Sequence, residues 1–529
     1  MRKRFWTLSN VRLPIDSGPD EVKAEVCRML GRAPAELEDF RIVKRAVDSR
    51  SRRAIAFVYT VEFEAGWKPR PPARPLPPGG EAVPERATGS DPLAAPPVVV
   101  GTGPAGLFAA LLLARLGFRP LVLERGARVD ERDEAVEKFL STGGPEHCDA
   151  FLFGEGGAGT YSDGKLTGRS AGRMGRFVLE RFVEFGAPRS ILTDAHPHVG
   201  SDRLRKLLPA FRSAIEREGG TFRFGLRVKG VERTEGGYRL ICEGGEDVFA
   251  PAVVFACGQN DPANYRMLAE AGAALEMKPF QMGMRLEMPQ RVVEEWAYGE
   301  YAFDPRLPRA SWRFVHHDPA TGLSLHTFCN CPGGRLMPTP SEADTLCING
   351  MSDHARDGEL CNTALVATFH GADMGCRDAL ETLERRRALE RAAWEKGGGG
   401  YRAPAWGVED FLAGKAPETL PESTYPFGLE PSDFEGLLPS WYLRLLRGAL
   451  EEFGRKMKGL VSPESALVAL ESRSSSPVRV RRSEEGWAEG LEHFYVVGEG
   501  SGYAGGIMSS ALDGLRAASR MASAFAPPR

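Results

Sequence analysis

Two short stretches, one near each end of the chain's main body, constrain its fold more than any other feature. "PPVVVGTGPAGL" occupies residues 96–107 and "YVVGEGSGYAGG" occupies residues 495–506. Both run from hydrophobic residues into a glycine-rich turn. In the first, Gly101, Gly103 and Gly106 stand in G-x-G-x-x-G spacing between a strand, Val98 to Val100, and a helix, Pro104 to Leu116, which Gly117 ends. Leu121 to Leu123 form the next strand, closed by Glu124. Each glycine has its own reason. Gly101 allows the tight turn, Gly103 lets a pyrophosphate approach the backbone, and Gly106 lets the helix pack close to the strand. Pro104 and Ala105 open a helix whose free N–H groups and partial positive charge favour phosphate. Glu124 is placed to accept hydrogen bonds from an adenosine ribose, with Arg125 beside it, and an acid here favours FAD or NAD over NADP.

The same spacing recurs twice, and context separates the cases. "GEGGAG" (154–159) is followed by "TYSDGKLTGR", which cannot be a packed helix. "GSGYAG" (500–505) follows a strand, "FYVV" (494–497), and precedes a helix, but only 24 residues remain after Gly505. A helix, a returning strand and a ribose acid do not fit there. The end of the chain is therefore expected to return to the first sheet and complete one cofactor site. Gly498 and Glu499 then lie at the strand's C-terminal end, with Glu499 holding a ribityl or ribose hydroxyl. The N–H groups near Gly505, Gly506 and Ile507 would face the flavin N1/C2 carbonyl region, where charge collects on reduction. Between the two ends, residues 221–245 read as a β-meander, and 250–260 as a buried strand leading to a third glycine turn at Gly258.

These features define an α/β fold: a two-dinucleotide-fold-type FAD domain (parallel sheet plus β-meander), spanning 96–261 and 481–529, with an inserted α+β substrate or cap domain over 262–480. Residues 1–66 read β-α-β-β, a small basic α+β module with 15 Lys/Arg against 10 Asp/Glu over positions 1–70. A solvated basic face accounts for that charge more simply than an RNA or acidic-partner surface. Residues 67–95 are a linker with too many prolines for a helix or central strand. The net charge of −3 gives the whole chain no strong pull toward nucleic acid. No run of about 18 apolar residues predicts a membrane span. The N-terminus lacks the apolar core of a secretory signal, and nine cysteines in 529 residues are not a disulfide framework. A cytoplasmic setting is expected.

At this level the sequence resembles FAD-dependent oxidoreductases with the glutathione-reductase-type FAD fold. It more closely resembles a bacterial and plastid family of uncharacterised FAD-dependent dehydrogenases. The resemblance covers roughly residues 1 to 515. It is carried by the stretches at 153–169, 279–290, 327–339, 348–358, 471–482 and 498–514. Where that family usually shows "NANSAL", this chain has "LCNTAL" (360–365). The resemblance implies bound FAD and leaves the substrate open.

Further candidates follow from residue type. Gly157, Thr160, Ser162, Asp163 and Lys165 read as a loop beside the isoalloxazine ring or pyrophosphate, its glycines permitting close backbone approach. His196 and His198 are candidate proton donors, and Lys165 and Arg473 complete the catalytic candidates. Arg473 and Arg479 suit a carboxylate or phosphate, against a competing reading as strand-edge salt bridges. Cys329 and Cys331 form C-N-C, where packing outweighs a redox role because redox motifs more often use two intervening residues. No metal-ligand spacing is present. Residues 377–396 read as a solvated scaffold helix.

The expected function is hydride transfer between flavin N5 and an organic small-molecule substrate. Electrons would come from NAD(P)H docking transiently or from a redox partner protein. An RNA-modifying flavoprotein and a non-turnover flavin sensor are the alternatives.

Overall fold

The computed structural model describes residues 4–76, 81–167 and 172–529, so Gly168 and Arg169 of the stretch at 153–169 lie outside the described residues. Its centre is a parallel sheet of five strands in the order Phe494–Val496, Val253–Phe255, Val98–Val100, Leu121–Leu123, Thr221–Arg223. The strands are short and rich in Val, Leu and Phe because both faces are covered. Val98 pairs with Val253, and Val253 with Phe494, all parallel. This register delivers the turns at Gly101, Gly258 and Gly498 to one edge of the sheet. The last strand does return to the first sheet, though Val253–Phe255 separates it from Val98–Val100.

One expectation is corrected here. Thr221–Arg223 is the outer strand of the parallel sheet rather than part of the meander. The meander is Val228–Thr234, Gly237–Cys242 and Val248–Ala250. Three residues carry too little alternation to reveal which sheet they join.

Helix Pro104–Arg115 is apolar all round, and residues 105 to 114 are all buried. It lies among the sheet, helix Ser201–Arg217 and helix Ile507–Ala524. The last of these approaches it backbone to backbone: a Cβ on Gly514 would stand 2.0 Å from the Ala105 carbonyl oxygen. A Cβ on Gly106 would likewise stand 1.9 Å from the Gly101 carbonyl oxygen, which is the close packing its place in the motif requires.

A second, seven-stranded sheet runs Val315–His317, Ser324–Cys331, Leu360–Phe369, Phe280–Pro289, Ala466–Glu471, Ala403–Gly407, Leu429–Pro431. The pair Leu275–Met277 and Val478–Val480 joins its chain segment to the parallel-sheet region. Helix Ala379–Lys396 is not a solvated scaffold. Arg386 and Glu390 on it are each 2% exposed and point inward, and its i, i+4 charge pattern hid that face.

The N-terminal strands Arg4–Pro14, Glu38–Asp48 and Ala56–Ala65 form an antiparallel sheet covered by helix Pro19–Leu30, which buries Val22, Val26 and Leu30. Several of its arginines meet acids within the module, including Arg50 with Asp48 and Arg41 with Glu62. Arg45 reaches outward to Asp194 at 2.9 Å. The linker is pinned at both ends: Arg74–Pro75 pairs with Trp6 and Thr7, and Asp91–Pro92 with Phe525–Ala526. Prolines suit such edge positions. Among the described residues no helix is long and apolar enough to cross a membrane.

Gly514→Ala should destabilise the protein by about 1–3 kcal/mol, the usual cost of forcing extra volume into a packed contact. Chemical denaturation measures it, and an unchanged midpoint would mean that the two helices do not meet at this contact.

Candidate functional site

The site is assembled where the three turns leave the parallel sheet. A Cβ on Gly101, whose φ is 98°, would stand 2.6 Å from the Ala256 carbonyl oxygen, and one on Gly500 would stand 2.3 Å from that of Gly258. At Gly498 the added carbon would stand 2.9 Å from the Ala105 Cβ. The first and last glycine turns are therefore neighbours. Only residues without side chains let these backbones meet, which is why glycine recurs at each strand end.

Two helices begin at this edge, at Pro104 and at Ile507, and neither has a side-chain cap. Their starts meet across Gly159, whose added Cβ would lie 3.4 Å from Ile507 Cγ1 and 3.8 Å from Pro104 Cγ. Uncapped helix starts present unpaired N–H groups and partial positive charge. At Gly505 and Gly506, and at Gly258, an added Cβ would meet nothing within 4 Å, so open space lies there. Gly157 faces Gly103, with an added carbon 2.9 Å from the Gly103 Cα.

Beneath this loop lies Arg132, which sequence reasoning missed. It is 1% exposed, and its Nε donates to Ala150 O at 2.7 Å and its Nη1 to Glu155 O at 2.8 Å and Gly157 O at 3.0 Å. Its Nη2 is buried without a partner, and among the described residues no carboxylate pairs with it. Burial pulls its pKa down. A buried guanidinium with an unused donor beside two uncapped helices is suited to an anion such as a pyrophosphate. These residues fit a dinucleotide.

Glu124 has a different local role from the one expected of it. Its Oε2 accepts from Thr102 N at 2.9 Å and Thr102 Oγ1 at 2.6 Å, and its Oε1 from Gly126 N at 2.9 Å and Gly154 N at 3.0 Å. Those four bonds fill the usual acceptor capacity of a carboxylate. Glu124 thus ties the first glycine turn to the 154–160 loop, and a ribose hydroxyl would have to displace one of these donors. Arg125 donates to Asp261 at 2.8 Å, as Arg227 does, and stacks on Phe153. Beside them a pocket of about 210 Å³ opens, lined also by Arg266 and Arg387.

At the other end, Asp513 fixes the Gly498 turn. It accepts from Gly498 N at 2.8 Å and from both Nη atoms of Arg482, at 2.8 and 2.7 Å. A lone acid in the apolar run "IMSSALDG" was the available signal. Glu499 lies among Gln259, Arg386 and Lys278; burial pushes its carboxyl up to about 7, against the pull of those three neighbours. Gln259 is itself held by Arg386 Nη1 at 3.0 Å and donates to Arg473 O at 3.0 Å.

The loop candidates divide. Thr160 is buried under Arg132 and Ser162 closes its own turn, donating to Gly159 O at 2.7 Å. Lys165 Nζ crosses to the seven-stranded sheet, 3.9 Å from both Cys329 Sγ and Cys331 Sγ and 3.5 Å from Asp163. Asp163 is clasped by Arg356 and Ser352. His198 lies half-buried, its Nε2 3.2 Å from His354 O and its ring stacked on that of His354. Burial, then Arg356, pushes it down to about 4, so it is neutral near pH 7 and fastens two loops. His196 is exposed. Arg473 is bound to Glu390, to Ser341 Oγ at 2.8 Å and to Thr339 O at 3.3 Å, and Arg479 to Glu276 at 2.8 Å. The salt-bridge reading describes both arginines. Arg285, fully buried, holds Glu471 at 2.7 Å, Asn362 at 2.7 Å and Asn349 at 2.8 Å. Asn362 lies in the segment that departs from the family's usual pattern.

Residues 279–474 match the family described as FAD-dependent protein, C-terminal domain-like, residues 99–130 an NAD(P)-binding Rossmann-like domain, and residues 7–64 a domain of unknown function. An uncharacterised protein of Clostridium beijerinckii is 33% identical over 531 residues, 99% of each chain. Among solved structures, a mutant of the halogenase PltM in complex with FAD is 12% identical over 81% of this chain and 68% of that one, with a TM-score of 0.35. CtdE in complex with FAD is 11% identical over 80% of this chain and 82% of that one, with a TM-score of 0.32.

Glu499 gives a pH test on flavin-free protein. Between its ordinary 4.5 and about 7 the folded protein keeps a proton that the unfolded chain has lost. Stability therefore falls as pH rises through that window and levels off above it. The effect is at most about 3 kcal/mol, at 1.36 kcal/mol per pKa unit. Glu499→Gln should flatten this slope in denaturant titrations at several pH values. An unchanged slope would place the titrating group elsewhere.

Proposed function

We propose a flavin-dependent oxidoreductase reaction for this chain, which matches the FAD-dependent protein C-terminal domain-like family over residues 279–474 and belongs to one family with the uncharacterised Clostridium beijerinckii protein. The observation that carries the reading is the convergence of two uncapped helix starts and the buried Arg132 on one edge of a parallel sheet. Ligands of α/β sheets bind at such strand ends.

When bound, FAD supplies hydride chemistry at N5. The chain's residues supply the rest. The N–H groups opening helix Pro104–Arg115, together with Arg132, hold the pyrophosphate. Glu499 takes a hydroxyl of the ribityl chain. The N–H groups at Gly506 and Ile507 offer positive potential to the pyrimidine edge of the ring, which favours the reduced, more negative form. Cys329 and Arg285 on the seven-stranded sheet, with Lys165 reaching Cys329 from its loop, form a polar wall of the site, and the substrate is an organic small molecule admitted along it. Electrons arrive from NAD(P)H or a redox protein docking at the site.

Arg132→Met should weaken FAD binding at least tenfold, about 1.4 kcal/mol, in a flavin-fluorescence titration. Unchanged affinity would remove Arg132 from the pyrophosphate site. For the reaction, protein loaded with FAD is reduced anaerobically and offered panels of organic acceptors. Reoxidation faster than in buffer by one chemical class supports turnover. A reduced flavin that no acceptor oxidises would point to a sensor or scaffold.

A further inference from the structure

One strand of the seven-stranded sheet carries two cysteines, Cys329 and Cys331, and Cys329 lies close enough to Glu499 to act on its carboxyl. Strand Ser324–Cys331 pairs Phe328 with Ala364 but Cys331 with Asn362, so it holds one residue more than its partner. The extra residue forms a bulge, and Cys329 within it has φ 44°, in the left-handed region. Side chains two apart on a flat strand share a face but stand over 6 Å apart, from a rise of about 3.3 Å per residue. A disulfide needs Cβ atoms about 3.5–4.5 Å apart. A bulge breaks that regular spacing. Lys165 Nζ lies 3.9 Å from each sulfur, so a single ammonium serves both. The Cys331 thiol donates to the Cys329 carbonyl oxygen at 3.5 Å.

The two thiols are unequal. Cys331 is fully buried, whereas Cys329 is partly exposed beside Phe328, which is 44% exposed. The neighbouring Cys331 thiol, then Lys165 and Arg285, holds the Cys329 thiol well below its ordinary range, against burial and the opposing charge of Asp163. Glu471 and Glu499 are the other charged groups that feel Cys329. By contrast, burial pushes up the thiols of Cys27, Cys148, Cys242, Cys257, Cys347 and Cys361. Reactive cysteines are accessible thiolates in electropositive surroundings.

We propose that Cys329 and Cys331 are a reactive dithiol that exchanges with small organic disulfides, with Cys329 attacking and Cys331 resolving. The Cys329 thiolate displaces one thiolate from the substrate disulfide and forms a mixed disulfide. The first leaving thiolate accepts the Cys331 proton. The Cys331 sulfur then attacks Cys329 Sγ, forms the Cys329–Cys331 bond and expels the second substrate thiolate, which is protonated from solvent. One substrate disulfide is reduced to two thiols and the protein dithiol is oxidised to a disulfide. Lys165 is a positioning residue that stabilises the attacking thiolate. Restoring the dithiol takes one hydride and one proton. That half of the cycle rests on the flavin reading above.

The test uses FAD-loaded protein, excess hydroxyethyl disulfide and mass spectrometry of the tryptic peptide 314–335, which holds both cysteines and no other. Wild type should show that peptide two hydrogens lighter, without a bound mercaptoethanol. Cys331→Ser should instead keep a mercaptoethanol mixed disulfide on Cys329. Lys165→Gln should slow the reaction about tenfold near pH 7 and move its pH midpoint upward, and Lys165→Arg should restore both. Two free thiols in the treated wild-type peptide, or a persistent adduct without the internal bond, would overturn the proposal. An unaltered pH midpoint in Lys165→Gln would overturn the part assigned to Lys165. The flavin reading fails separately: protein that binds no FAD can still form the internal disulfide. In anaerobic titration, the oxidised wild type should take twice the reducing equivalents of Cys329→Ser.

Discussion

The structure depends on one close approach, that of helix Ile507–Ala524 to helix Pro104–Arg115 at Gly514 and Ala105. This contact brings the end of the chain back onto its first β-α-β unit. Once the helices touch, Gly498 lies against Ala105, and the Gly498 and Gly101 turns share one edge. Asp513, one residue before Gly514, then reaches both the Gly498 N–H and Arg482. A bulkier residue at 514 would push apart the backbones that this arrangement needs together. The fold and the site therefore rest on the same contact.

A second layer of constraint is electrostatic. Arg285 with Glu471, and Glu390 with Arg473 and Arg386, are charged groups withdrawn from water around the site. Such groups are costly to bury, and removing one partner leaves the other uncompensated. They fix the positions of segments far apart in sequence: 285 to 471, 390 to 473, and 386 to Gln259. Asp163, clasped by Arg356 and Ser352, does the same for the loop that carries Lys165. The result is a set of polar contacts that ties the Lys165 loop to Cys329 and Arg356, and Gln259 beside the Gly258 turn to Arg386 and Arg473.

The glycine turns were legible in the sequence because each demands a residue without a side chain, and only glycine meets that demand. The return of the last strand was legible from what could not fit in the remaining 24 residues. Other features were not. Thr221–Arg223 is too short to declare its sheet. Arg386 and Glu390 looked solvated because i, i+4 opposite charges are typical of exposed helix faces, and nothing local shows that Gln259 and Arg473 wait on the inside. Glu124 follows its motif, yet its oxygens are engaged by Thr102, Gly126 and Gly154, contacts that only the folded loop creates. Arg132 gave no signal, since one arginine in a charged helix resembles its neighbours.

The central claim is that the two ends of the main body build a single site for one FAD. The most direct measurement is the molar ratio of flavin to polypeptide in saturated protein, by flavin absorbance against amino-acid analysis. The account predicts one FAD per chain. A ratio of two would mean that each glycine turn binds its own dinucleotide, and a ratio of zero would mean that neither does.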